Sequence, residues 1–293
     1  MPTIRISGSV GVGGRNNAAD VRLVTALLNV YRRQNNQAAI PVVDQVKEQL
    51  NVAISDFQRV RLNSARPDGR VDPGGRTFST LSTILSNVFT PEPLVNPTIG
   101  TVTWEAEGQE GGRFHSRKLH VPSASSGLTL GRGYDMKTKT KGQVRADFMV
   151  AGIDKTKTEV LVNAVTLQGN RADQFIVDND LLDFEITPLA QLKLFEISYE
   201  LEASEVRRIS GKSDVVNLYG QLDWDTTHQA IKDILVDLKF RGDYTGAARR
   251  FIQAPAVNNN LVEFRDLIGD RGRWQNVPQD RFNRRVRFLA NAR

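Results

Sequence analysis

The chain has 293 residues, a net charge of +6 and no cysteine, which excludes disulfide bonds and thiolate chemistry. Hydrophobic residues make up 40% and charged residues 25%, proportions typical of folded rather than disordered proteins. No apolar run approaches the roughly 20 residues of a membrane span and no secretory signal is visible. We therefore expect a protein made in the cytoplasm that needs outside help to leave it.

Three helices are predicted in the first 89 residues. The stretch AADVRLVTALLNVYRR places apolar side chains at helical spacing behind Asp20, which we expect to cap the helix. The stretch VKEQLNVAISDFQRVRL repeats the pattern, and in RPDGRVDPGGRTFSTLSTIL turn residues precede a third apolar series. These patterns predict a small three-helix domain over residues 1–89.

A proline-rich segment follows this domain. TPEPLVNP holds three prolines in eight residues, and prolines fix φ and remove hydrogen-bond donors. It predicts a linker over residues 90–98 and a second domain over residues 99–293.

The second domain is rich in glycine as far as Asp135 and then helical. TPLAQLKLFEISYELEASEVRRI begins with Thr187 as a cap and Pro188 in the first turn. DTTHQAIKDILVDLKFRGD carries one apolar stripe and stops at Gly242. We predict an α+β, mostly helical fold with a small glycine-rich β lobe and a larger helical lobe.

The segment SGLTLGRGYDM within this β lobe carries a hydroxyl and an acid among three glycines. Extended geometry places Thr129 and Asp135 on the same face, with Gly131 and Gly133 between them. A straight strand of this length spans about 20 Å, too far for both side chains to act on one bond. The chain must therefore bend at Gly131 or Gly133 if both residues are catalytic.

The amino-terminal region resembles the peptidoglycan-binding modules found beside cell-wall hydrolases. The matching parts are VGVGGRNNAADVRLVTALLN, the pair Phe57 and Gln58, and PDGRVDPGGRTFSTL. Where such modules carry a first DGxxGxxT turn, this chain has VVDQVKEQLNVAI, so only the second turn is intact. The resemblance implies a wall-binding fold, and leaves open whether sugar binding is retained.

The second region is similar to pesticin-like and phage-type lysozymes, which are muramidases. The matching residues are Glu107 with Gly108, Thr129 within TLGRG, and Asp135, and RGRWQNVPQDRFNRRVRFL looks like the last helices of these lysozymes. The resemblance implies a lysozyme-like fold in which Glu107, Thr129 and Asp135 are catalytic.

Two acidic groups suit glycoside hydrolysis, because one protonates the leaving oxygen and the other activates water or stabilises positive charge. Glu107 lies in TVTWEAEGQEGG, a predicted short helix with Trp104, and is our expected general acid. Glu110 is also followed by glycine and stays open as an alternative. Thr129 is expected to position water and Asp135 to act as base or electrostatic partner, in an inverting or a retaining mechanism.

Five residues near these positions are expected to bind substrate. His115, Arg117 and His120 lie between Glu107 and the glycine-rich segment, and are expected to donate hydrogen bonds to acetamido or lactyl groups. Arg132 and Tyr134 lie within the segment itself. With three histidines in the whole chain, no metal site is predicted, and no cofactor is expected.

These observations together predict a muramidase that cleaves the bond between N-acetylmuramic acid and N-acetylglucosamine, as a phage endolysin or an antibacterial effector. Expected partners are peptidoglycan and an immunity protein or secretion-machine component, met in the periplasm or outside the producing cell. Nucleic acid and membrane insertion are not expected. The alternatives are a lytic transglycosylase of the same fold and a non-catalytic wall-binding component of a phage tail or secretion apparatus.

Overall fold

Helices dominate the described part of the chain. A computed structural model describes residues 4–88, 90–112 and 114–292. These residues form 13 α-helices and two short two-stranded antiparallel sheets, which confirms the predicted α+β, mostly helical class. The helices are α1 (Ala18–Gln34), α2 (Glu48–Arg61), α3 (Arg76–Asn87), α4 (Thr101–Ala106), α5 (Lys141–Ala151), α6 (Lys155–Leu161), α7 (Asn170–Asp178), α8 (Pro188–Ser210), α9 (Ser213–Tyr219), α10 (Gln229–Arg241), α11 (Gly246–Val257), α12 (Leu261–Gly269) and α13 (Gln279–Ala290). The strands are β1 (Val10–Gly11), β2 (Arg70–Val71), β3 (Thr129–Leu130) and β4 (Tyr134–Asp135).

The chain divides into two compact units, each assembled from two separate stretches of sequence. The first comprises Met1–Pro93 and Gln109–Gln191, and the second comprises Leu94–Gly108 and Leu192–Arg293. The crossing after Pro93 lies inside the predicted linker. The return at Gln109 groups residues 109–191 with the amino-terminal helices. The division into a domain at residues 1–89, a linker at 90–98 and a domain at 99–293 stays a prediction.

The three predicted amino-terminal helices are present as α1, α2 and α3. Their buried apolar side chains form a common core, and β1 pairs with β2 beside them. Gln58 of the FQ pair explains the intact second turn, because its side chain donates to Asp68 (2.6 Å) and to the carbonyl of Arg70 (2.9 Å) and accepts from Gly69 N (3.0 Å). This buried amide therefore fixes the glycine turn against α2.

Asp20 does not cap α1, contrary to our expectation. The helix begins at Ala18, and the Asp20 carboxylate accepts hydrogen bonds from the backbone of Ser7 (3.0 Å) and Gly8 (2.9 Å). Burial opposes ionisation, but these bonds together lower the pKa of Asp20. The residue ties the amino-terminal segment to α1.

Ion pairs link helix α1 to residues 109–191 within the first unit. Arg33 of α1 pairs with Asp180 (2.7 Å) and Asp183 (2.6 Å), and Arg22 pairs with Asp178 (2.6 Å). Contacts of this kind between partly buried groups are stronger than those between fully exposed charges. Helix α1 packs against α7, and its ion pairs reach the end of α7 and the turn that follows it.

In the second unit, α4 is fixed by Gly100, the residue that precedes it. Gly100 has φ +71°, and a side chain there would lie 2.6 Å from the ring of Tyr199 in α8. Asp233 of α10 accepts hydrogen bonds from Gly100 N (3.1 Å) and from the Tyr199 hydroxyl (2.5 Å). As predicted, α10 buries its apolar stripe and ends at Gly242, which adopts the left-handed conformation. The short helix α4 therefore sits in a defined place against α8 and α10.

Candidate functional site

The glycine-rich segment forms a tight β-hairpin in the first unit. Gly131 and Gly133 have φ +63° and +85°, a conformation that glycine adopts without strain. The turn between them brings Thr129 and Asp135 directly opposite each other as antiparallel partners. The bend that two catalytic roles would require is thus present, and Cα atoms in such pairs lie about 5 Å apart rather than 20 Å.

His120 extends this pair into a row of three. Its backbone N donates to Thr129 O (3.0 Å), and Thr129 N donates to His120 O (2.9 Å). Residues directly opposite on neighbouring strands place their side chains on the same face. The side chains of His120, Thr129 and Asp135 therefore form one continuous row.

Gly127 holds both polar side chains of the hairpin. Thr129 Oγ1 donates to Gly127 O (3.2 Å), and Gly127 N donates to Asp135 Oδ2 (3.0 Å). The other carboxylate oxygen accepts from Lys137 N (2.7 Å). A side chain at residue 127 would lie 2.3 Å from Asp135 Oδ1, so only glycine fits here. The hydroxyl and the carboxylate are consequently held in single orientations.

Glu107 ends the predicted short helix, which is present as α4. Its backbone N donates to Thr103 O (2.9 Å), and its carboxylate pairs with Arg281 of α13 at 2.5 Å. The Glu107 side chain keeps 22% of its surface exposed. Trp104 is buried edge-on against Phe195, with ring centroids 5.1 Å apart. The second unit thus presents one partly exposed acid at the carboxyl end of a firmly packed helix.

The arginine beside Glu107 is shared with a buried carboxylate. Arg281 Nη2 also pairs with Asp237 of α10 at 2.6 Å, and Arg285 pairs with the second Asp237 oxygen at 2.6 Å. Burial opposes the charge of Asp237, but Arg285 and Arg281 together lower its pKa. Asp237 is therefore a buried anion between two guanidinium groups.

Glu110, the alternative acid, is engaged on both oxygens within the first unit. Oε2 accepts from Arg117 Nε (3.0 Å), and Oε1 accepts from Gln191 Nε2 (2.7 Å) and lies 3.5 Å from Arg132 Nη2. Arg117 is fully buried and also reaches Glu185 at 2.9 Å. Glu110 therefore balances the charge of a buried arginine.

The predicted binding residues other than His120 lie inside the first unit and not on a solvent-facing loop. His115 Nδ1 accepts from Gly111 N (2.9 Å) and its Nε2 donates to Glu185 (2.9 Å); burial lowers its pKa although Glu185 opposes this. Tyr134 is fully buried and donates to Asp147 at 2.6 Å, and burial raises its pKa. Arg117 and Arg132 are buried as well. Direct contacts between these four residues and a sugar stay predictions, and the burial of their side chains does not support them.

His120 is partly exposed and stands at the end of the row that it forms with Thr129 and Asp135. Its Nδ1 lies 3.0 Å from Lys118 O, and burial lowers its pKa. Of the five residues predicted to bind substrate, His120 is the one that the fold places beside Thr129.

Lys118 was not anticipated from the sequence. Its side chain is 2% exposed, and within the described ranges its Nζ has no hydrogen-bond partner. Burial lowers its pKa to about 8, although the negative charges of Glu185 and Asp183 oppose this. A buried ammonium group of this kind is a cost to stability at neutral pH.

Sequence reasoning also missed Asp237, Glu185 and Gln191. A signal for Asp237 exists, because Asp233 and Asp237 are four residues apart beside the apolar stripe of α10 and so share a helix face. An acid on a buried face requires a partner, and Arg281 and Arg285 have the same spacing on α13. Glu185 and Gln191 carry no comparable local signal.

Neither a metal-binding cluster nor a membrane-spanning helix occurs among the described residues. Among residues 4–88, 90–112 and 114–292, no three acidic or histidine side chains converge as a metal site needs. Over the same ranges, every helix is too short or too polar to cross a membrane.

Comparison with known proteins gives a family but no activity. No curated protein matches the chain at a significant level. Residues 100–286, which are more than half of the chain, match the model of a family described as a domain of unknown function (DUF8812). The matched segment contains Glu107, Thr129 and Asp135 together with the arginines of α13. The chain therefore belongs to the DUF8812 family.

Proposed function

We propose that this protein is a muramidase that hydrolyses the β-1,4 bond between N-acetylmuramic acid and N-acetylglucosamine in peptidoglycan. The observation that supports it most is the pairing of Thr129 with Asp135 across the glycine turn. This pairing brings a hydroxyl and a carboxylate side by side on one face, which is the arrangement needed to hold a water molecule.

Thr129 and Asp135 have complementary roles in this mechanism. Because the Thr129 hydroxyl donates its proton to Gly127 O, its oxygen is left as an acceptor for one hydrogen of the water. Asp135 accepts the other proton as the water attacks the anomeric carbon, or stabilises positive charge on the sugar if the reaction retains configuration. His120, at the end of the row, hydrogen-bonds a sugar substituent.

Glu107 is the general acid of this proposal. It donates its proton to the glycosidic oxygen as the bond breaks, which leaves a carboxylate facing Arg281. Its partial exposure supports this role, whereas Glu110 accepts hydrogen bonds on both oxygens. We assign Glu110 to the support of Arg117.

The proposal also covers the domain architecture and the biological role of the protein. The hairpin and its surrounding loops are the β lobe, and the helices from α8 onward the main helical lobe, of a lysozyme-like domain. Residues 1–89 are a peptidoglycan-binding module. The positive net charge favours capture by anionic cell-wall polymers. An endolysin and an injected effector with an immunity protein as partner are the two settings that we propose.

Mass spectrometry of purified peptidoglycan digested with the protein tests the proposal. We expect reducing muramic acid ends with the wild type and no product with Glu107→Gln. Asp135→Asn should lose activity as well. Glu110→Gln should keep its activity per folded molecule. Glu105→Gln is the matched control, because this acid lies on the same helix and is 61% exposed.

Other results would contradict the proposal. Products with 1,6-anhydro ends would identify a lytic transglycosylase instead. A folded wild-type protein that sediments with cell walls but releases nothing would be a non-catalytic wall-binding component. Full activity in Glu107→Gln with none in Glu110→Gln would reverse the assignment of the acid.

A further inference from the structure

Charged side chains of the second unit form a continuous chain that begins at Glu107. Arg281 joins Glu107 (2.5 Å) to Asp237 (2.6 Å), and Arg285 joins Asp237 (2.6 Å) to Asp243 (2.9 Å). Negative and positive groups alternate along its whole length. The chain therefore connects a partly exposed acid to an ion-pair system inside the helical lobe.

The members of this chain differ in burial. The Asp237 side chain is fully buried, Arg285 is 2% exposed and Arg281 is 10% exposed, whereas Glu107 is 22% exposed. Charges removed from water are screened less, so each acts on the next more strongly than a surface pair does. A change of charge at Asp237 is consequently felt at Glu107 through Arg281.

We propose that Asp237 is a positioning residue that keeps Glu107 able to carry a proton, by sharing the guanidinium group of Arg281. An arginine facing a single carboxylate would hold it ionised and unfit as a general acid. Here Asp237 contacts the same guanidinium group from the buried side, and its negative charge offsets the positive charge of Arg281. The inference rests on the proposed function, in which Glu107 is the acid.

The other charged groups of the second unit around Glu107 do not supply this effect. Glu105 of α4 pairs with Arg284 of α13 at 3.4 Å, and the Glu105 side chain is 61% exposed, so solvent screens it. Asp237 is the buried negative group that contacts Arg281 directly.

The test compares pH–activity profiles on purified peptidoglycan. In Asp237→Asn, Arg281 keeps an uncompensated positive charge beside Glu107, so activity should fall at lower pH on the alkaline side. We expect that limb to move down by roughly one pH unit. Asp243→Asn removes a negative charge farther from Glu107 in this series of ion pairs. It should move the alkaline limb in the same direction, but by less.

A matched control lies on the same helix. Asp233 is as buried as Asp237 and one turn earlier, but it binds Tyr199, Gln229 and Gly100 N at the opposite end of α4 from Glu107. Asp233→Asn should lower stability and leave the alkaline limb in place. A general loss of packing would not separate these variants by pH, whereas the proposed charge effect does.

Each outcome bears on the inference. A folded Asp237→Asn protein with the wild-type alkaline limb overturns it, and so does an equal displacement in Asp233→Asn. If thermal melting shows that Asp237→Asn does not fold, Asp243→Asn decides, and an unmoved limb there overturns the inference. A wild-type protein that cleaves no peptidoglycan overturns the proposed function as well, and is seen before any variant is compared.

Discussion

Replacing Lys118 with methionine should stabilise the first unit at neutral pH. The lysine is 2% exposed, and its Nζ has no hydrogen-bond partner within the described residues. Burial penalises the ammonium form and lowers its pKa from 10.5 to about 8. Methionine has a similar length and no charge, so it should fill the same space without that penalty.

The magnitude follows from the two pKa values. Between pH 8 and 10.5 the unfolded chain still binds a proton that the folded protein has lost, so the free energy of unfolding rises with pH. At about 1.4 kcal/mol per pH unit, the wild type should gain on the order of 3 kcal/mol across this range. Below pH 8 both states hold the proton and this contribution is flat. Lys118→Met should therefore be more stable than wild type at pH 7, with an advantage that shrinks toward pH 10.

Urea denaturation at pH 7, 8, 9 and 10 measures this difference, read from the transition of the first unit. Burial also raises the pKa values of Tyr134 and Tyr199, which lowers stability only at still higher pH and affects both proteins equally. Lys141→Met is the control, because Lys141 lies in the same unit, is exposed and donates to Asn163 Oδ1 at 2.8 Å. Parallel curves for wild type and Lys118→Met would refute the reasoning.

Three further variants test other parts of the structure. Gly127→Ala should lower peptidoglycan cleavage by roughly tenfold or more, because the new Cβ would displace the Asp135 carboxylate. Gly142→Ala is its control and should be neutral in the same assay, because its Cβ would have no contact under 3.9 Å. Glu110→Gln should lower the free energy of unfolding in urea by roughly 2 kcal/mol, because the buried Arg117 keeps Glu185 but loses its second carboxylate, and an unchanged midpoint would contradict the network. Gly100→Ala should lower stability by roughly 2 kcal/mol, seen as a lower Tm, because φ is +71° and an aromatic ring of α8 lies 2.6 Å from the new Cβ.

Sequence patterns were informative where the structure is local. The stripe on α10, its end at Gly242 and the cap at Thr187, which accepts from Ala190 N (3.1 Å), depend on neighbours within one helix. The hairpin bend followed from a length argument about Thr129 and Asp135. In each case the residues that decide the conformation lie within a few positions of one another.

Hydrogen-bond partners that lie far apart in the sequence could not be predicted from local patterns. Glu110 and Gln191 are 81 positions apart, and His115 and Glu185 are 70 apart, yet they form one buried polar network. Spacing alone gives no reason to pair them. His115 was expected to hydrogen-bond the substrate, but it is buried together with the polar residues that follow it in the chain.

The distance along the chain between Glu107 and Arg281 has a consequence for synthesis. The two residues are 174 positions apart, and α4 packs against α10 and α13, which leave the ribosome long after α4 does. A nascent chain therefore holds the proposed acid without the ion pair that orients it until α13 has been made. Under the proposed function, products that lack α13 should accordingly cleave no peptidoglycan, and the synthesis of this helix sets the moment at which the proposed acid is oriented.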